Sequence, residues 1–198
     1  MKPENTQKND ELLNQLFVQE EQKNESYANY ARILFTSLYF IAAFSVRPEI
    51  PAHSFNAIII ASLLNLVYGI LIFFELRRES PRRWLKYPSM SIDIILLSVV
   101  LYQFGTFRTF KSEAFLLYYL WIRLATLRFS PWLTLYAGGL SIGSILLITY
   151  VAISNQTIEL GSITEAFTTP MVSEQNLVLR FIFFCAFITL AVYVSGVF

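Results

Sequence analysis

The run FNAIIIASLLNLVYGILIFF, residues 55–74, contains no charged side chain. At about 1.5 Å per residue a helix of that length reaches about 30 Å, the thickness of a bilayer's hydrocarbon core. Five further apolar runs surround it, at about Tyr30 to Val46, Pro88 to Phe104, Ala114 to Phe129, Trp132 to Ile153 and Leu177 to Phe198. Hydrophobic residues make up 55% of the chain and charged residues 15%, so a water-covered surface for 198 residues cannot be assembled from what is left. The reading is an all-α integral membrane protein, a bundle of six transmembrane helices over residues 29–198. The third and fourth runs are short and predict little tilt or a thinned bilayer.

Residues 1–28 are polar and acidic, with Glu4, Asp10, Glu11, Glu20, Glu21 and Glu25 ahead of the first apolar run. A secretory signal starts basic and short, so this run reads as a retained anchor. Within the segment Leu12, Leu13, Leu16 and Phe17 follow a helix cap at Asp10, the pattern of a short amphipathic helix. Its acidic face favours docking on protein over an anionic leaflet. A frayed tail is the alternative.

Basic residues set the orientation, because loops rich in Lys and Arg stay in the cytoplasm. Arg77, Arg78, Arg82, Arg83 and Lys86 crowd the linker after the second run, and a cytoplasmic N-terminus places Lys2, Lys8, Lys23, Arg32, Arg123 and Arg128 on that side too. Only Arg47, Arg108, Lys111 and Arg180 fall on the other half. The polar stretch 154–176 then lies outside, with Glu159, Glu165 and Glu174 and no basic residue. A multi-pass protein of the cytoplasmic (inner) membrane is expected, with membrane lipid as its surroundings.

Charges inside the apolar runs are the candidates for chemistry. A carboxylate at mid-membrane costs about 2.5–3.5 kcal/mol on insertion scales, so Asp93 calls for a partner. By helical rise Asp93 lies roughly 7 Å and Arg123 roughly 10 Å from the cytoplasmic end of their segments, which predicts an ion pair between them. That pair reads as structural, with a proton or ligand relay as the sharper alternative. Arg180 near the outer end of the sixth run pairs on this reading with Glu174 or Glu113, or faces an anion at an outer mouth.

Tyr118, Tyr119 and Trp121, with Tyr102, are candidates to line a site for a flat hydrophobic small molecule; an interface belt is the plainer reading. Gly139 and Gly143 have the small-xxx-small spacing of closely packed helices, inside the bundle or at a dimer face. His53 is the only histidine and Cys185 the only cysteine, so neither a metal site nor an internal disulfide is expected. Asn155-Gln156-Thr157 matches a glycosylation sequon. The chain shows no phosphate-cradling glycine loop and no nucleophile with a histidine base, so no catalytic residue and no cofactor are assigned. A net charge of +1 gives no reason to expect nucleic acid. The two halves show no clear internal repeat, which weakens a transporter of inverted repeats.

The basic linker ending Trp84-Leu85-Lys86-Tyr87-Pro88, then Ser91-Ile92-Asp93, Phe104-Gly105, Phe115-Leu116-Leu117-Tyr118-Tyr119-Leu120 and Leu127-Arg128-Phe129-Ser130-Pro131, resembles the N-terminal membrane domains of bacterial class III nucleotidyl cyclases. Similar layouts precede some sensor histidine kinases. The resemblance implies six helices per protomer, a homodimer, and a cytoplasmic enzyme making a cyclic nucleotide such as cyclic AMP; none of that family's catalytic residues is carried here. The sixth run reaches roughly 33 Å and ends without a basic anchor, so a soluble output domain beyond Phe198 is expected. The function read from the sequence is therefore a membrane anchor, dimeriser and signal receptor for such an enzyme. A histidine-kinase input domain, a small transporter or channel, and a scaffold are the alternatives.

Overall fold

The computed structural model describes residues 3–45, 47–49, 51–77, 83–103, 110, 113–128, 130–162 and 172–197, with the side chains of 3–18, 21, 49, 83, 113, 114 and 197 excepted. Within these ranges the protein is helical almost throughout. Six α-helices follow in order: α1 Pro3–Ser45, α2 Ala52–Leu76, α3 Lys86–Gln103, α4 Leu117–Thr126, α5 Pro131–Ser154 and α6 Glu174–Val197. Short 3-10 turns at Arg47–Glu49, Arg83–Leu85 and Glu113–Leu116 lead into α2, α3 and α4. Two residue pairs, β1 Leu160–Gly161 and β2 Val172–Ser173, form a small parallel bridge between α5 and α6, where the sequence reading had only a polar loop.

Among the described residues three helices are long and apolar enough to cross a membrane: Ala52–Leu76, Pro131–Ser154 and Glu174–Gly196. Only 33%, 28% and 17% of their most apolar windows are buried within the chain, so most of that surface needs lipid or another chain against it. Leu71, Phe74, Leu147, Tyr150, Phe183, Leu190 and Tyr193 all point outward. These features mark a membrane protein. By contrast α4 has 10 helical residues, about 15 Å of rise, and is half the length a crossing needs on its own.

The helix ends follow from the sequence. At α5, Ser130 caps the first turn by accepting the Leu133 amide at 3.4 Å, and Pro131 stands where its missing N–H is not needed. The same helix closes with the Thr157 amide donating back to the Ala152 carbonyl at 3.0 Å, a wrap that takes Gln156 to φ 53°. Hydroxyls inside the apolar helices are satisfied by their own turn, as when Ser98, Ser141 and Thr149 donate to the carbonyls of Ile94, Ala137 and Ile145.

One break with the sequence reading concerns the N-terminal segment. It is not a separate short helix: α1 runs unbroken from Pro3 through Ser45.

Packing runs in sequence around α3. Helix α1 lies on α2, α2 on α3, α3 on α4 and α5, and α6 on α4 and α5. The main core joins Met90 and Ile94 of α3, Tyr118, Ile122 and Ala125 of α4, Leu133 and Ala137 of α5, and Phe184 and Ile188 of α6. Ala43, Ile58, Ala61 and Val100 form a smaller cluster between α1, α2 and α3.

Candidate functional site: a buried ion pair beside a cleft

Asp93 is 1% exposed on α3 and its partner is Arg32 of α1, also 1% exposed. Arg32 Nε donates to Oδ1 at 2.8 Å and Nη2 donates to Oδ2 at 2.8 Å, the two-pronged geometry that matches guanidinium to carboxylate. Two further bonds hold the guanidinium. Nη1 donates to Asn29 Oδ1 at 2.7 Å and Nη2 also reaches the Ser89 hydroxyl. Asn29 Nδ2 in turn donates to the Gly69 carbonyl of α2 at 2.9 Å, and the Arg32 guanidinium lies 5.6 Å from the Tyr68 ring centroid. A single polar centre thereby ties α1, α2 and α3 together at a fixed register, and the charge-assisted bonds offset part of each ion's desolvation.

The sequence reading paired Asp93 with Arg123, and this is corrected. Arg123 is exposed on α4. The depth argument fixed how far along its helix each charge sits but not which way round the helix it points. Arg128, just past α4, takes a second buried pairing: its Nε lies 3.1 Å from Glu25 Oε2 on α1, outside hydrogen-bonding geometry, while Nη1 donates to the Lys86 carbonyl at 3.3 Å. Glu25, Arg32, Asp93 and Arg128 together gather charge at one end of the bundle.

Beside the ion pair, a cleft runs along α3 with α1 and α2 on one side and α4 on the other. It holds about 550 Å³ of non-atom space, part of it open to the surroundings. Trp121 of α4 lines it, together with Asp93, Asn65 and Tyr39.

The aromatics proposed as one lining are split. Tyr118 is buried with its hydroxyl 2.8 Å from Ser98 Oγ, and Tyr119 turns to α6, its ring 4.7 Å from Phe184 and 4.6 Å from Phe187 by centroid. Tyr102 is 41% exposed at the end of α3. Only Trp121 of the four faces the cleft.

At the other end of the bundle Arg180 is half-buried; it donates to the Phe110 carbonyl at 2.5 Å and lies over the Phe115 ring at 4.5 Å. Glu174 is exposed at the start of α6 and makes no ion pair with it among the described residues, while the Glu113 side chain and Glu165 lie outside those residues. Gly139 and Gly143 do not pack inside the bundle: nothing stands within 4 Å of where a Cβ would project from either. Their neighbour Gly138 does that work against Ile188 of α6, 2.7 Å from its would-be Cβ. Among the described residues no three His, Cys, Asp or Glu side chains gather to hold a metal ion.

Sequence reasoning missed Arg32, Asn29, Ser89 and Asn65. Arg32 enters the sequence reading only through orientation, although Asn29 and Arg32 stand three apart on one helix face, a visible polar pair at the start of an apolar run. No protein-family model, curated protein or solved structure matches the chain.

Proposed function

We propose that the chain is a six-crossing domain of the bacterial inner membrane, N-terminus in the cytoplasm, that dimerises and senses a ligand as the input to a class III nucleotidyl cyclase. The observation that carries the sensing part is the placement of α4. Trp121 faces the cleft while Tyr119, two residues away, stacks on Phe184 and Phe187 of α6. A ligand that spreads the cleft would push α4, and α4 leans on α6. Coupling of this kind needs a difference in ligand affinity between two packings of the same helices, and a short helix gripped on one side by aromatics is a suitable movable part. The cyclase output rests on the resemblance of residues 84–88, 91–93, 104–105, 115–120 and 127–131 to that family. The buried charges support this reading over transport, because Arg32 and Asp93 balance each other in a buried two-pronged pair tied to Asn29.

The test joins the full chain to a class III adenylate cyclase catalytic domain in a cyclase-deficient bacterium. Filling the cleft with Ala61→Phe is expected to change cyclic AMP by about fivefold at equal expression, and Tyr119→Ala to abolish that change. Output unaffected by cleft filling, or equal to that of the catalytic domain on an unrelated membrane helix, overturns the proposal.

A further inference from the structure

The geometry points to a neutral, hydroxyl-headed hydrocarbon as the ligand of the cleft, its hydroxyl donating to Asn65. Asn65 stands near the middle of α2, 7% exposed, and its Oδ1 has no hydrogen-bond partner. In an apolar surrounding an amide oxygen left without a donor is costly, and native proteins seldom tolerate one without a reason. The residue lines the cleft with Thr36 and Ser62, which makes one wall polar, while Leu97, Val100 and Trp121 make the other apolar.

The neighbouring ion pair decides the charge of the guest. Arg32 is buried against Asp93, Asn29 and Ser89, and no cation is among the described residues lining the cleft, so an anion would find no partner there. Asp93 lines the cleft, but both its oxygens accept from the Arg32 guanidinium, so its charge is already balanced and does not call for a cationic guest. A neutral head that donates a hydrogen bond satisfies the Asn65 oxygen, whereas an ether or ester head, which only accepts, leaves it without a partner. The cleft is partly open to the surroundings, so a hydrocarbon tail can extend out of it, and a mostly apolar lining with few polar groups is the usual composition of such sites. The inference deepens the input-domain reading by naming the ligand class of the same cleft.

The probe is 11-bromoundecan-1-ol, whose bromine quenches tryptophan fluorescence, added to the full chain in lipid nanodiscs. Trp84→Phe and Trp132→Phe, both at exposed positions, leave Trp121 as the only tryptophan, excited selectively at 295 nm or longer. The alcohol is expected to quench saturably, to be displaced by 1-undecanol, and to bind about tenfold more tightly than its methyl ether. Asn65→Leu is expected to bring the alcohol down to the level of the ether. Equal binding of alcohol and ether, quenching that never saturates, or undiminished alcohol binding in a folded Asn65→Leu protein overturns the inference. Should that variant fail to fold, the alcohol and ether contrast on the Asn65 protein decides alone. Binding is read here without any output enzyme, so intact binding with a silent chimera sinks the input reading, whereas a responsive chimera without binding sinks only this ligand class.

Discussion

Arg32 and Asp93, 61 residues apart in sequence, grip each other through Nε and Nη2 at 2.8 Å, with both side chains buried. A pair of this kind is far more sensitive to losing one member than to losing both. Arg32→Met or Asp93→Leu alone leaves an unpaired buried charge and is expected to cost about 3–5 kcal/mol of stability. The double replacement is expected to recover most of that loss. Denaturant unfolding in mixed micelles reads both, and single variants that unfold like the unmodified protein would remove the pair from its structural role.

Asn29 links this pair to α2, accepting from Arg32 Nη1 at 2.7 Å and donating to the Gly69 carbonyl at 2.9 Å. Asn29→Ala removes both bonds and leaves Arg32 Nη1 without its partner, and is expected to cost about 1–3 kcal/mol in the same assay. A cost no larger than that of an exposed substitution such as Leu38→Ala would count against a three-helix centre.

Adjacent glycines are expected to behave oppositely. At Gly138 an added Cβ would stand 2.7 Å from Ile188 Cγ2, so Gly138→Ala overpacks the α5–α6 contact and is expected to destabilise by about 1–3 kcal/mol, with partial relief from Ile188→Ala. Gly139 faces open space, where alanine improves helix propensity by roughly 0.5–1 kcal/mol. Melting temperatures of the two variants should therefore move in opposite directions.

Arg123 is exposed, and Arg123→Gln is expected to change stability by no more than about 0.5 kcal/mol. A loss comparable with that of Arg32→Met would restore the pairing that the sequence suggested.

The contrast between Arg32 and Arg123 shows what was legible in the chain. Apolar runs located α2, α5 and α6 within a few residues, since length and absence of charge are properties of the sequence itself. The cost of Asp93 within a helix rightly demanded a partner. Choosing that partner required the azimuth of three helices around one another, and hydropathy carries no such information when apolar residues cover every side. Gly138 and Gly139 were indistinguishable for the same reason, because one step of about 100° separates a packed face from an open one. The cleft was invisible in sequence, being set by how α1, α2, α3 and α4 lean together, although Asn65 within an otherwise apolar run was a readable sign.

The six-crossing topology with its N-terminus inside underlies the whole proposal, and cysteine labelling in intact cells tests it most directly. In a Cys185→Ser background, single cysteines at the exposed positions Gln19, Trp84 and Ser154 are treated with a membrane-impermeant maleimide. Labelling of Ser154→Cys from outside, with Gln19→Cys and Trp84→Cys labelled only after permeabilisation, is the predicted result; labelling of Ser154→Cys and Trp84→Cys from the same side would contradict it.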